Sequence, residues 1–547
     1  MHPLNAEDID EYDIKSVLKS KYFIEMEDEQ DETSELYVNE PNYIQKDQLF
    51  CICSKFNQFL NQRNLELTMN SLLELFNLFI NQKYLSQEII DTFVALNFLQ
   101  NINVCILLLQ GSCESSVQYS DELSFICILL NFLAYLSDLF IELMFEHDTL
   151  NVLITIFVKP GNRVSPNLFF KLFGNACSIK KIALFFQNPL FVQIQKYISC
   201  ESIFTQKFCL YCFFALTKHC PIPLSLIDSY FMSIKTILLK ASNVISILND
   251  LNAQHDNNDA EYENKDTEYE YENEDIEYEN EDIKYENEGI EYENEDFLYS
   301  RYDFLYNQKD LHKQLNKITE NFGTNLSGDS IKKHIYKILI YIIEILDQHS
   351  SHPETFRYVV NAKIPSILLS IIFYFPIIVQ QKFLKIIQNI LKMITDGDDK
   401  IHIEDNMIFF SKSLDPGDLI NLLDTSNDPI ISMVYDILYK IGFYDKSLIQ
   451  DFITTDMIRN TIEKVYSVNF HSKTCVLKFL ALIIINDNQN KFAELIITES
   501  VVEEFIELAQ QKEDFVKDTL GAITKLFVLT YDNPDLHMML EPYVISC

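Results

Sequence analysis

Twelve cysteines and eleven histidines are the residues of this chain best suited to metal or nucleophilic chemistry, so their spacing is the first test. The stretch "CLYCFFALTKHC" runs from Cys209 to Cys220 and carries His219. Zinc takes tetrahedral thiolate and imidazole ligands, and Cys-x-x-Cys is the usual half-site. Here, however, the spacing places Cys209, Cys212 and Cys220 along one stripe of a helix, where a small hydrophobe packs well. Pro221 ends that helix, no second Cys-x-x-Cys follows, and Cys200 is the only spare ligand nearby. Core packing is the expectation, with a metal or redox site as the alternative. Cys51 and Cys53 would point to opposite sides of a helix.

Other chemistry leaves little trace. "DGDDKIHIED", from Asp396, has the composition of a calcium loop, but that loop needs Gly at its sixth position and Glu at its twelfth. Those positions hold Ile401 and Met407, so a solvated connection is expected. His349 and His352 flank a turn before Pro353 and read as a cap rather than a base. The chain has no Gly-x-Ser-x-Gly elbow, no His-Glu-x-x-His helix and no phosphate-binding Gly-Lys loop. A triad assembled only in space would leave no mark in sequence. The expectation is a protein without catalytic residues, metal or cofactor.

A third feature is acidic and aromatic. "EYENEDI" recurs near the centre, and residues 261–296 hold 18 acidic residues against Lys265 and Lys284. A coiled coil needs apolar residues at alternating steps of three and four. Ile276, Tyr278, Ile283, Tyr285, Ile290 and Tyr292 step by two and five, so no stripe forms. Like charges such as Glu277 and Glu281 also oppose each other at i, i+4. Disorder is therefore expected, either as a solvated insertion or as an interaction segment. In the second reading Tyr262, Tyr278, Tyr285 and Tyr292 offer aromatic anchors and phosphorylation sites in an acidic setting. The segment could also compete for the chain's own binding groove.

What must position any site is a helical framework. Of 547 residues, 48% are hydrophobic, 10 are Gly and none is Trp, a composition poor in the glycine that phosphate loops and nucleotide folds use. The formal charge of −38 argues against nucleic acid as a partner. Much of that charge lies in residues 261–296 and in Glu7–Glu35. Scattered cysteines and an N-terminus without an apolar run suggest reduced thiols in the cytosol or nucleus. "IPSILLSIIFYFPIIVQQ", from Ile364, is uncharged, but Pro365, Pro376 and its flanks favour buried helix over a membrane span.

"LTMNSLLELFNLFI", from Leu67, repeats apolar residues at i, i+3, i+4 and i+7, the pattern of a helix face. A recurrent junction follows, in which one helix ends, a few polar or Pro residues intervene, and another apolar helix begins. It occurs in "FIELMFEHDTLNVLITIF" (Phe140), "ALFFQNPLFVQIQKYI" (Ala183), "TFRYVVNAKIPSILLSII" (Thr355), "LIQDFITTDMIRNTIEKV" (Leu448) and "KFAELIITESVVEEFIEL" (Lys491). Leu150 to Phe191 is 41 residues, Ile458 to Val502 is 44, and Ile364 to Ile458 is 94, close to two steps. A unit of about 42 residues that cannot bury its apolar face alone must stack on copies of itself.

With those junctions, and helix endings such as "LFFKLFGNACSIKK" (Leu168) and "TCVLKFLALIIINDNQN" (Thr474), the chain resembles the armadillo/HEAT-type helical repeat family. The resemblance implies an all-α, right-handed α-solenoid whose third helices line a concave groove for peptides or partner proteins. It also implies that Asn175 occupies the place of a groove asparagine that grips a ligand backbone. Without Trp, the Trp–Asn ladder of the nuclear-import members is missing. The family's Gly between its first two helices is mostly missing too, which points toward HEAT-like units. The expected organisation is an acidic arm at 1–41, a helical array at 42–252, an acidic insert and linker helix at 253–328, and a second array at 329–547. The expected function is a protein-binding scaffold whose partners are other proteins or peptides, basic segments included. The alternatives are a regulatory subunit that positions substrates for a phosphatase, kinase or ligase, and an enzyme with a cryptic site.

Overall fold

The computed structural model describes residues 46–266 and 328–546, apart from connecting residues 80–81, 83, 113–119, 160–163, 201, 351, 353–354, 397–402, 415, 425–426, 447–452, 488–491, 499–500, 512–514 and 532. The arm at 1–41, most of the acidic insert, and Tyr278, Tyr285 and Tyr292 lie outside the described residues. So does the centre of the Asp396 loop. Every regular element among the described residues is a helix. Packing divides the chain into two compact units, Met1–Tyr197 with Phe208–Pro221, and Ile198–Lys207 with Ile222–Cys547.

The first unit begins with the hairpin α1 (Lys46–Asn61) and α2 (Leu65–Phe79). Two three-helix layers follow: α3 (Gln87–Ala95), α4 (Phe98–Ser112) and α5 (Ser120–Leu136), then α6 (Asp138–Glu146), α7 (Thr149–Val158) and α8 (Pro166–Ala176). α9 (Lys180–Tyr197) and most of α10 (Ile203–Thr217) complete it. The third helices pack in series, α2 on α5 and α5 on α8, as copies of a repeat that hides its apolar face should. Aromatic rings fill the space between helices. Phe93 lies 4.7 Å from Phe98 and 5.7 Å from Phe140, and Phe157 stacks on Phe169 at 3.7 Å, all between ring centroids. Burying each such ring contributes roughly 1.5–3 kcal/mol.

The second unit holds α11 (Leu224–Asp266) and α12 (Gly328–Ser350), followed by the layer α13 (Phe356–Asn361), α14 (Ile364–Leu369) and α15 (Ile377–Asp396). Next come α16 (Ile403–Ser411), α17 (Pro416–Asn421) and α18 (Asp428–Tyr444), then α19 (Thr455–Ser467) and α20 (Phe470–Asn486). α21 (Ala493–Thr498), α22 (Val501–Gln511), α23 (Val516–Leu529) and α24 (Pro534–Ser546) end the chain. Here too the third helices stack in order: α12, α15, α18, α20, α23. Packing divides the chain elsewhere than composition does, because α11, before the acidic segment, packs on α12 and α14 after it.

Of the five junctions, those at Phe140, Thr355 and Lys491 separate two helices, the one at Ala183 does not, and the start of the one at Leu448 lies outside the described residues. α9 runs unbroken through Pro189, although an interior proline loses one helical hydrogen bond. Leu190, Phe191 and Ile194 beyond the proline are fully buried, and their packing holds the helix together. Asn97 (φ 50°), Asp148 (φ 61°) and Lys363 (φ 56°) take the left-handed conformation between the first and second helices of their layers. No single described helix is long and apolar enough to cross a membrane. Gln87–Ala95 and Phe98–Gly111 would qualify together by length and composition, but they are bent by 58°. The run from Ile364 is split between α14, a 3-10 turn at Ile372–Tyr374, and α15.

Candidate functional site

The stacked third helices of the second unit meet at a partly open cavity of about 350 Å³. Gln388 of α15, Ser432, Asp436 and Tyr439 of α18, and His471 and Lys478 of α20 line it, with Thr474 and Cys475. The helical period explains why these residues share a face. Positions 381, 385, 388 and 392 recur every three or four residues on α15, as do 432, 436 and 439 on α18 and 471, 475 and 478 on α20. The opposite faces are apolar and hidden: Phe383, Ile387, Ile390, Val434, Leu438, Val476 and Leu480 are buried.

Polar side chains link one layer to the next along this face. Gln388 Nε2 donates to Asp436 Oδ2 at 2.7 Å, and Lys440 Nζ donates to the same oxygen at 2.8 Å. Burial, then the neighbouring and hydrogen-bonded Asp518, pushes the Tyr439 phenol up to about 12, so it stays protonated and donates to that carboxylate. At the helix starts, Asn427 caps α18 by accepting from Ile430 N and also accepts from Gln381 Nε2 at 3.2 Å. Asn469 caps α20, and its own N–H donates to Asp428 Oδ2 at 2.9 Å. Each cap satisfies a helix N–H that would otherwise lack a partner and also fixes the register of adjacent layers.

A thiol, an imidazole and a carboxylate around one cavity also raise the question of a cysteine nucleophile. Activation needs the imidazole to be held by a third group. Asp436 is instead committed to Gln388 and Lys440, and no hydrogen bond joins it to His471 among the described residues.

In the first unit, Asn175 lies half-buried near the end of α8. Its Oδ1 accepts from the Tyr211 hydroxyl of α10 at 2.8 Å, while its Nδ2 has no hydrogen-bond partner among the described residues. The Tyr211 ring lies directly on Gly174, where an added Cβ would come within 2.4 Å of Cδ1. Other asparagines bridge neighbouring layers in the same way: Asn131 Nδ2 donates to Leu168 O at 3.0 Å, and Asn101 Nδ2 to Asn57 Oδ1 at 2.8 Å. Tyr262 falls within α11.

The three cysteines singled out in sequence do not act as one group. Cys209 Sγ turns to Ile194 O at 3.6 Å, whereas Cys212 shares a hydrogen bond with Cys177, a residue that the spacing argument overlooked. That hydrogen bond, then burial, holds the Cys177 thiol well above its ordinary value. Burial, aided by Cys177, pushes Cys220 up to about 11. All four thiols are buried, a core environment. No group of three His, Cys, Asp or Glu among the described residues could hold a metal ion. The missed signal is spacing: Cys177 precedes Cys212 by 35 positions, close to the 36 that separate Asn175 from Tyr211.

No family model matches the chain, and no curated protein does. Among solved structures, an engineered protein is similar at 12% identity and a TM-score of 0.46, over 87% of this chain and 98% of that one. She4p is similar at 12% identity and a TM-score of 0.24, over 92% of this chain and 84% of that one. At these scores the stacking of the chain's own helices says more about its fold than either likeness.

Proposed function

We propose that this chain is a non-catalytic scaffold of armadillo type, working in the cytosol or nucleus, which binds extended segments of other proteins along the polar face of its stacked third helices. The observation that carries this reading is the cavity lined jointly by Gln388, Asp436, Tyr439, His471 and Lys478, one polar face built from three successive layers. Left-handed residues at Asn97, Asp148 and Lys363 support the armadillo type in particular, since they keep the sharp first turn without glycine. A ligand in extended conformation offers a backbone donor or acceptor at every residue, and amides and hydroxyls at repeat spacing suit it. Asn175 Nδ2 would play the same part in the first unit.

Peptides selected from an unbiased display library on the full chain test the reading. Selected peptides should lose at least tenfold in affinity on Tyr439→Ala or His471→Ala and keep it on Arg459→Ala in α19. Binders indifferent to the first two substitutions would overturn it.

A further inference from the structure

Charge in the second unit is sorted between its helices, against the balance of the whole chain. From α15 onward, the first and second helices of the layers (with α13 and α14) carry ten acidic residues against Arg357, Arg459 and Lys464. α20, a third helix, has no acidic residue and carries Lys473 and Lys478; α15 has Lys382, Lys385 and Lys392 with only Asp396 at its end. On the shared face the two carboxylates are already engaged, Asp436 by Gln388 and Lys440, and Asp518 by Tyr439. Lys385, Lys392 and Lys478 have no ion pair among the described residues. Lys385 and Lys392 are exposed, and Lys478 is half-buried at the cavity wall beside His471. A protein of net charge −38 thus presents one inner face with satisfied acids and unpaired bases.

From this arrangement we infer that the third-helix face of the second unit selects acidic peptide segments, in place of the basic ones that the chain's net charge alone suggests. The inference rests on the reading of this face as a peptide-binding surface. Lys385 and Lys392 sit two turns apart, about 10 Å along α15. Two layer spacings of about 8–10 Å each separate α15 from α20. An extended segment of about six residues, at about 3.3 Å per residue, therefore reaches from the α15 lysines to Lys478. Carboxylates at both ends of such a segment would meet unpaired lysines, and its backbone would cross Gln388, Tyr439 and Ser432. The Lys478 ammonium at the wall of a half-open cavity is screened less than the exposed Lys385 and Lys392, and together their charge should govern both the encounter and the choice of partner.

The probe is a fluorescein-labelled twelve-residue peptide of alternating Glu and Tyr, titrated by anisotropy against the full chain and against the form lacking residues 267–296, which removes competition from the chain's own acidic heptads. Lys–Tyr and Ser–Tyr peptides of equal length, and a single-stranded oligonucleotide of matched charge, are the comparisons. The expected result is binding of the acidic peptide that weakens with salt, falls at least tenfold on Lys478→Glu and on Lys385→Glu, and stays within twofold on Lys464→Glu of α19. Circular dichroism confirms that each variant is folded, and Lys385 is exposed enough to keep the test valid if Lys478→Glu is not. If the Lys–Tyr or Ser–Tyr peptide binds better and responds to Tyr439→Ala, the acidic preference fails while the peptide-binding face stands. If no peptide binds, both fail. Tighter binding of the oligonucleotide overturns the inference in favour of a general polyanion site.

Discussion

Gln388 and Asp436, 48 positions apart, meet at 2.7 Å across two stacked helices, and Lys440 closes on the same carboxylate oxygen. The pair joins one layer to the next and lines the cavity. Removing the carboxylate leaves an amide and an ammonium without their shared acceptor. Asp436→Ala should lower stability by about 1–2 kcal/mol, since a hydrogen bond to a charged group is worth about 1.5–3 kcal/mol when buried and less when half-exposed. Urea unfolding of Asp436→Ala, Gln388→Ala and the double variant should give a coupling of at least about 0.5 kcal/mol. Additive losses would mean that the contact carries no energy.

Gly174 is fixed by its neighbour. With a Cβ at 2.4 Å from the Tyr211 ring, Gly174→Ala must displace that ring and with it the hydrogen bond to Asn175. The expected loss is about 1–3 kcal/mol, as for other overpacked sites. Adding Tyr211→Ala should recover part of it, because the ring that clashes is gone. A thermal shift for the double variant larger than the sum of the two single ones would contradict this packing.

The left-handed turn at Lys363 gives a test with the opposite sign. A residue with a Cβ pays about 1–2 kcal/mol in that conformation, and glycine does not, though glycine gives back part of the gain as added freedom in the unfolded chain. Lys363→Gly should raise stability by up to about 1 kcal/mol, and Lys363→Val should lower it by more than that. Calorimetry of the two variants settles the order; an equal effect of both would exclude the left-handed turn.

His349 predicts a pH dependence. It is 5% exposed, and burial, with the nearby His352 charge, lowers its proton affinity from the ordinary 6.5 to about 4. Between those values the unfolded chain binds more protons than the folded one, so this histidine's contribution rises with pH. It is fully present above about 6.5, is lost as pH falls toward 4, and is constant below that. The whole step amounts to about 3 kcal/mol. His349→Leu should remove it, so the stability difference between pH 4 and pH 7 shrinks relative to the unsubstituted chain. An unchanged difference in urea titrations at the two pH values would contradict the burial of this ring in neutral form.

The helical class and the junction at Lys363 were legible, because apolar periodicity and proline act within a few residues of themselves; the layer spacing was less so, since one of its steps was measured to Phe191 inside the unbroken α9. The left-handed residues were not, since Lys363 and Asp148 are chemically unlike the glycine usually sought there. Pro189 misled for the reverse reason, as its local preference for a break is outweighed by the buried Phe191 and Ile194 beyond it. Resemblance singled out Asn175, but its partner Tyr211 lies a full layer away. The same distance hid Gln388 from Asp436 and Cys177 from Cys212. Contacts between layers form only once the repeats stack, and a reading made residue by residue has no term for them. Aligning positions one repeat apart is the signal that would have recovered them.

The central claim, that extended segments bind along the polar face of the third helices, is tested most directly by photo-crosslinking. Peptides selected on the full chain from a library of unbiased charge, each carrying a benzophenone side chain, are irradiated with it, and the attachment sites are read by mass spectrometry. The account predicts attachment to α15, α18 and α20 around Gln388, Tyr439 and Lys478, with a second group near Asn175 and Tyr211. Attachment confined to the first and second helices α16, α19 and α22 would contradict it.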